Sequence, residues 1–341
     1  MAGLSSQKTL GPMKMKGRVR VFLLVFLCLL PEAGLWADAP QIELKRDESS
    51  AVLRILINST EKLVYQYHIS LDLVHYWPLK SPSGKDMLIQ KAEPYPHHRA
   101  FWFADTVRLN RGREVSFYNA LYSGRKIGEN TYGSPFCDHI RHVRFTCLET
   151  KGNIAVIKEE LIWEMDGDVP VMDEHRKLRI YALGQGEYYI DISFQLTASY
   201  GDVEFISDEV HYAWPYLRMH PQFSGKNGGE ITSDQGNKGQ KQTNMEYALW
   251  VDYSNTIKGQ AEGLAVFQWP DGKRHRWLTR EYGTFGPRRP DLKSGQPFAL
   301  EKGETLSQRV GILVHRGNAI TGKVKQRYQE LILQKKRNEP A

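Results

Sequence analysis

Cysteine is nearly absent from this chain, with three in 341 residues. No two stand in a CxxC pair, so a cysteine-built zinc site lacks the spacing it needs. There is no HExxH, no Walker phosphate loop and no nucleophile elbow. Zinc-protease, P-loop and covalent serine chemistry are therefore left without a carrier. No segment recurs at a fixed period, which removes solenoids and propellers. Beyond residue 37 no apolar run approaches the roughly 20 residues of a membrane-spanning helix. Ala-Leu helical stretches are scarce, whereas Tyr (17) and Trp (8) are plentiful.

The one long apolar run sits at the N-terminus. Lys14, Lys16, Arg18 and Arg20 precede Val21 to Leu30, and Ala37 offers a small residue at a cleavage position. That is the outline of a secretory signal peptide over residues 1–37. Residues 38–341 are expected to form a single β-sandwich domain in a periplasmic or secreted protein. The leader holds five basic residues and one acid, so without it the formal charge falls from +7 to +3. Much of that excess lies between Lys323 and Arg337, as expected of a solvated basic helix. The basic pI is no evidence for a nucleic-acid partner. Cys137 and Cys147 remain after cleavage, either as a pair closing a short loop or as two free thiols.

The rest reads as strands. Gln41 to Lys45, Val52 to Ile57 and Lys62 to Asp72 alternate polar and apolar residues, the last with Tyr65, Tyr67 and Ile69 on one face. Val115 to Tyr122, Val143 to Leu148 and Ile154 to Met165 follow, then Val171 to Leu183 and Tyr188 to Ser199. Long antiparallel strands with short connections predict large, stacked sheets. Residues 224–244 are rich in Gly, Ser, Asn, Gln and Lys and read as a loop or flap. Further strands are expected at Tyr247 to Tyr253, Gly263 to Trp269, Arg276 to Tyr282 and Leu306 to His315. From about residue 319, Val324, Tyr328, Leu331 and Ile332 recur at helical spacing, which predicts a terminal helix packed on a sheet.

The chemistry concentrates in EPYPHHRAFWFAD, Glu93 to Asp105. There His97, His98 and Arg99 stand beside Phe101, Trp102 and Phe103. Three other stretches share its polar-aromatic style. They are Asp208 to Trp214 with His211 and, further on, Arg218; Trp250 to Tyr253 with Asp252; and Trp277 to Gly283 with Arg280 and Tyr282. Sugars offer apolar faces to aromatic rings and hydroxyl edges to Arg, His, Asp and Glu, so this mixture suits a carbohydrate. A His with a carboxylate can also move a proton near neutral pH. The competing chemistry is a divalent metal held by the histidines with His139, His142 or a carboxylate. Adjacent His97 and His98 would point to opposite faces of a strand, so both could ligate one ion only from an irregular loop.

PHHRAFWFAD, ALWVDYS, GLAVFQWP, REYGTFGPRRP and VGILVHRG together resemble the secreted bacterial family known as PmoA-like, in the same order over most of the chain after the leader. The family's "methane oxygenase" name implies no activity here, because such a subunit would need several membrane spans. The resemblance carries over to His97, His98, Arg99, Trp102, Asp252, Tyr253, Arg280 and Tyr282. Ser207 to Arg218 departs from the family pattern, which leaves the roles of Asp208, Glu209 and His211 open.

The fold expected is all-β, a large two-layer antiparallel sandwich akin to the galactose-mutarotase supersandwich, with a C-terminal helix. The function expected is that of a carbohydrate-active enzyme: an epimerase, lyase or hydrolase acting on a sugar or oxidised sugar. His97 or His98 would work as acid/base with Asp208 or Asp252. Arg99 and Arg280 would position oxygens, Trp102, Trp214 and Tyr282 would stack on the ring, and His211, Arg218 and Tyr253 would complete the binding surface. No residue is assigned to a metal; no cofactor is fixed by the sequence, and a divalent metal is the candidate that stays open. A non-catalytic glycan-binding protein and a metal-dependent hydrolase or lyase are the alternatives.

Overall fold

The computed structural model describes residues 39–122, 138–206, 212–270, 275–289 and 298–333. The leader, Cys137, Asp208, Glu209 and His211 lie outside these residues, and with them the signal-peptide and cysteine-pair expectations. The described residues belong to one compact unit that starts at Ala39.

Strand alternation builds this unit. In Ile154–Met165 the inward phase is Ala155, Ile157, Glu159, Leu161 and Trp163, and in the neighbouring Val169–Gly184 it includes Glu174, Arg176, Leu178, Ile180 and Ala182. Period-two spacing sends those side chains to one face, and burying that face holds the sheet on its partner. Two eight-stranded sheets result. The first runs, in spatial order, Ile42–Asp47, Val52–Ile57, Thr60–Gln66, His75–Leu79, Phe101–Trp102, Tyr216–Arg218, Thr284–Pro287 and Trp277–Thr279. The second runs Glu230–Ser233, Trp250–Ile257, Gln260–Gln268, Thr305–Arg316, Glu187–Thr197, Val169–Gly184, Ile154–Met165 and His139–Lys151. A four-stranded sheet adds Phe298–Leu300, Val203–Ile206, Thr106–Leu109 and Glu114–Ser116. The named strand pairs are antiparallel, so the all-β antiparallel expectation is met.

One apolar core joins the sheets, with Tyr65, Phe101, Trp163, Leu217, Tyr253 and Ile312 among its members. A fully buried ionic network crosses it. Arg176 stands opposite Glu159 in the register. Its Nε donates to Glu174 at 2.7 Å, Trp163 Nε1 donates to Glu174 at 2.9 Å, and Tyr76 donates to Glu159 at 3.1 Å. None of these charges is singled out from the sequence. Their signal was present, since Glu159, Glu174 and Arg176 fall in the apolar phase of their strands.

The second sheet's outer face carries a smaller core of Tyr189, Trp250, Ala265, Phe267 and Leu313. Val324, Tyr328 and Ile332 from the terminal helical segment cover it. That segment packs on a sheet as its spacing predicts, although regular α-helix spans only Val324–Tyr328. Several strand expectations are trimmed, and Arg276 to Tyr282 shrinks to Trp277–Thr279. Lys62 to Asp72 ends at Gln66, leaving Ile69 exposed. Val115 to Tyr122 turns into a 3₁₀ helix from Phe117. Among the described residues no helix is long and apolar enough to cross a membrane.

Candidate functional site

The loop Lys91 to Arg99 leads into the short strand Phe101–Trp102 and closes on itself. Lys91 N–H donates to the His98 carbonyl at 2.9 Å, and His98 N–H to the Tyr95 carbonyl at 3.0 Å. Arg218 comes alongside because its N–H donates to Ala100 at 2.7 Å while its carbonyl accepts from Ile89. Tyr282 arrives on the turn before Thr284–Pro287. Gly283 adopts φ +104°, where any Cβ would be strained and would lie 2.9 Å from the Cβ of Met219. Only glycine lets that turn close this tightly.

Tyr95, His97, His98, Tyr118, Arg218, Tyr282 and Thr284 thus share one place. The Tyr95 ring stacks on His98 at 5.0 Å and meets Tyr282 at 5.2 Å. His97 packs edge-on against His98 at 4.4 Å and Tyr118 at 5.0 Å. Tyr282 covers the Arg218 guanidinium at 4.2 Å. Tyr95 is exposed, and His97 and Tyr282 are half-buried, so these three present the outer surface.

The hydrogen bonds set the state of His98. Arg218 Nη1 donates to Thr284 Oγ1 at 3.1 Å. The threonine proton is then free for His98 Nδ1 at 3.3 Å, and Nε2–H of His98 can donate to Tyr118 Oη at 2.7 Å. Each proton is used once, and the imidazole is neutral. Burial, then the charges of His97 and Arg218, push the His98 pKa down to about 2. Burial, then Arg99 and Arg218, bring His97 down to about 4. Both rings are therefore uncharged at neutral pH. They can accept a proton but hold none in reserve as imidazolium. His98 is fixed from both sides by the fold, whereas His97 is the more exposed of the two.

Several expected members lie elsewhere. Asp252 does not reach the histidines. It accepts from Ser254 Oγ at 2.9 Å and pairs with His315 Nε2 at 2.8 Å, on the outer-sheet phase shared with Trp250. Its neighbour Tyr253 faces the inter-sheet core, stacks on Phe285 and bonds the Arg280 backbone. Arg99 is buried and ion-paired with Asp72. Trp102 and Trp214 are each 1% exposed, so neither has a face for a ligand. Trp102 stays with the cluster as its buried floor, 5.4 Å from the His98 ring and stacked on Tyr216 at 4.8 Å, whereas Trp214 donates to Asp105 at 2.8 Å. Arg280 Nη1 turns to Asn244 at 2.7 Å, beside an open cavity of about 490 Å³ lined by Gln240, Lys241, Asn244 and Glu281. The 224–244 flap packs there, with Gln240 N–H donating to Glu281 at 2.8 Å. His139 and His142 each take a separate carboxylate, Glu164 and Glu159. Among the described residues no three His, Cys, Asp or Glu gather as a metal site. Sequence reasoning missed Tyr95, Tyr118 and Thr284. Only Tyr95 carried a signal, as the aromatic between two prolines of the opening motif.

No curated protein matches the sequence. Among solved structures, the galactosidase domain of an α-galactosidase–sucrose kinase aligns at 8% identity and TM-score 0.42, over 81% of this chain and 42% of that one. A GH36 α-galactosidase from Geobacillus stearothermophilus aligns at 11% and 0.45, over 85% and 42%. A galactose 1-epimerase from Lactobacillus acidophilus NCFM aligns at 8% and 0.36, over 82% and 99%. The chain thus spans about two fifths of the length of the galactosidases it matches. Identities and scores this low transfer no residue and no activity. The sequence match is more direct: a model described as a "Family of unknown function (DUF6807)" covers residues 53–329, most of the chain, and the protein belongs to that family.

Proposed function

We propose that the cluster around His97 is a carbohydrate site, and that His97 accepts a proton there. One observation carries this reading. Tyr95 meets the half-exposed, neutral His97 edge-on at 6.1 Å and Tyr282 at 5.2 Å, and Tyr282 lies over the buried Arg218 guanidinium at 4.2 Å. Tyrosine faces suit the C–H faces of a pyranose, and imidazole and guanidinium suit its hydroxyl edges. A neutral His97 suits removal of a proton from a hydroxyl or from a carbon beside a carbonyl. The base does not draw on Asp252, which is committed to His315.

The test is calorimetric titration of the intact chain with neutral mono- and disaccharides and 3-keto-sugars, with products followed by NMR. Tyr282→Ala should weaken binding about tenfold, equivalent to about 1.4 kcal/mol of lost stacking. His97→Ala should keep most of the affinity and abolish turnover. Binding without turnover in the unaltered protein would sink the catalytic half and leave a glycan-binding protein. Binding unchanged in Tyr282→Ala would sink the site.

A further inference from the structure

Arg218 differs from the buried Arg99, Arg176 and Arg289. Arg176 and Arg289 are equally enclosed, but each has a carboxylate nearby, Glu174 at 2.7 Å and Asp105 at 3.9 Å. Arg99 has Asp72. Arg218 is 5% exposed, and among the described residues no carboxylate stands within ion-pair distance of it. Its Nη1 is used by Thr284, and its Nε is buried with no acceptor. Burial lowers its pKa, opposed by the tyrosines Tyr282, Tyr95, Tyr118 and Tyr253 rather than by an acid. Glu281, next to Tyr282 in the chain, is occupied by the flap through the Gln240 N–H. A buried guanidinium without a counter-ion is costly to the free protein, and an anion arriving with the ligand would relieve that cost.

We propose that the ligand of this site is an acidic sugar, a uronic acid or a glycan ending in one, whose carboxylate pairs with Arg218 while its ring lies against Tyr95 and Tyr282. This rests on the carbohydrate reading above and adds the charge. The cluster has one unpaired guanidinium, which matches a planar monoanion better than a sulfate or phosphate dianion. Neutralising Arg218 would also remove one of the charges that hold the His97 pKa down, so an acidic ligand would make His97 a stronger base when bound.

Glucuronate and galacturonate, each against its neutral parent sugar, and inorganic sulfate are titrated into the full chain. The expected result is uronate affinity at least tenfold above the neutral sugar and weakening with added salt. That preference should vanish in Arg218→Gln and survive partly in Arg218→Lys, with circular dichroism confirming that both fold. Should Arg218→Gln fail to fold, Arg218→Lys and the salt series carry the test. Equal affinity for acidic and neutral sugars, or a preference that survives Arg218→Gln, overturns the acidic-ligand inference and leaves the carbohydrate site standing. Sulfate competing as well as uronate overturns it too, because the site would then recognise charge without a sugar. Uronate binding that is unchanged in Tyr282→Ala would defeat the carbohydrate site itself.

Discussion

Gly263 is the position where one methyl group should do most damage. It lies in Gln260–Gln268, opposite His315 on one neighbour and Ser254 on the other. A Cβ placed there would sit 2.6 Å from His315 Cε1, 2.7 Å from Nε2 and 2.9 Å from the Ser254 Cβ. The absent side chain is what lets His315 reach across the strand to Asp252. Both ring nitrogens of His315 meet oxygens that only accept, since Nδ1 lies 3.0 Å from the Arg316 carbonyl. Burial disfavours the imidazolium, but the Asp252 charge and hydrogen bond and the Arg316 carbonyl outweigh it, so the His315 pKa is raised. The pair is a buried ion pair with both partners fully enclosed.

Gly263→Ala forces a choice. If the ring stays, overpacking costs about 1–3 kcal/mol. If the ring swings away, the clash ends but Asp252 loses its cation, and breaking a buried pair costs about 3–5 kcal/mol. Overlap with two ring atoms and a Cβ at once leaves little room for a small adjustment, so the second cost dominates. We expect a loss of about 3 kcal/mol in urea unfolding. The pH dependence is a second readout. His315 has a folded pKa above its unfolded value. Its contribution is therefore complete below the usual histidine pKa of about 6.5 and disappears as pH rises through the raised value. That alkaline decline should be present in the unaltered protein and gone in Gly263→Ala. A loss under about 1 kcal/mol, with the alkaline decline intact, would refute the argument.

Three further outcomes are expected. Glu262 accepts from Ser81 Oγ, Ser83 N–H, Ser83 Oγ and Lys85 Nζ at 2.7–2.9 Å, so Glu262→Ala should cost about 3 kcal/mol by thermal unfolding. Burial raises the Glu262 pKa, but Lys85, Ser83 and Ser81 together bring it below the ordinary glutamate value; its contribution is present above about pH 4.5 and is lost as pH falls through the lowered value. Trp102→Ala should cost about 3–5 kcal/mol in urea while Tyr282→Ala costs under about 1 kcal/mol, and equal losses would show that the packing and ligand-facing rings are wrongly divided. Val324→Asp puts an unpaired charge under the terminal helix, so hydrogen exchange should rise across residues 324–333 and stay slow in Thr305–Arg316; a uniform change would contradict the separate outer core.

The long strands were legible because most of Ile154–Met165 and Val169–Gly184 alternates, despite charges in the apolar phase, and has turn residues at its ends. The short ones were not. Tyr216–Arg218 and Phe101–Trp102 pair over two residues, too few for a period to show. The ionic network and the Asp252–His315 pair were hidden for a different reason. Sequence marks a charge as polar, and although Glu159, Glu174 and Arg176 fall in the apolar phase of their strands, it takes the packed sheets to show that phase buried around a charge. The terminal helix was placed correctly by its spacing, but its regular part is short because packing on Trp250 and Phe267, rather than helix propensity, holds it.

The site follows the same rule at finer grain. Asp252 and Tyr253 are adjacent in a strand, so they could never both serve one pocket. One faces the outer core and the other the space between the sheets. His97 and His98 are adjacent in a loop, where that constraint is lifted, and their rings meet at 4.4 Å. An irregular backbone is what allows two neighbouring imidazoles to face one place, and the prolines around Tyr95 lie in that irregular stretch. Residue chemistry in the opening motif therefore pointed to the right segment. Partners had to come from elsewhere, and strand phase admitted Arg218 while excluding Asp252. Arg218 and Tyr282 were the only distant candidates that the fold carried to the histidines, among those it describes. The cluster that results keeps one guanidinium and, among the described residues, no carboxylate within ion-pair distance of it, and that imbalance is the reason to expect the acid on the ligand.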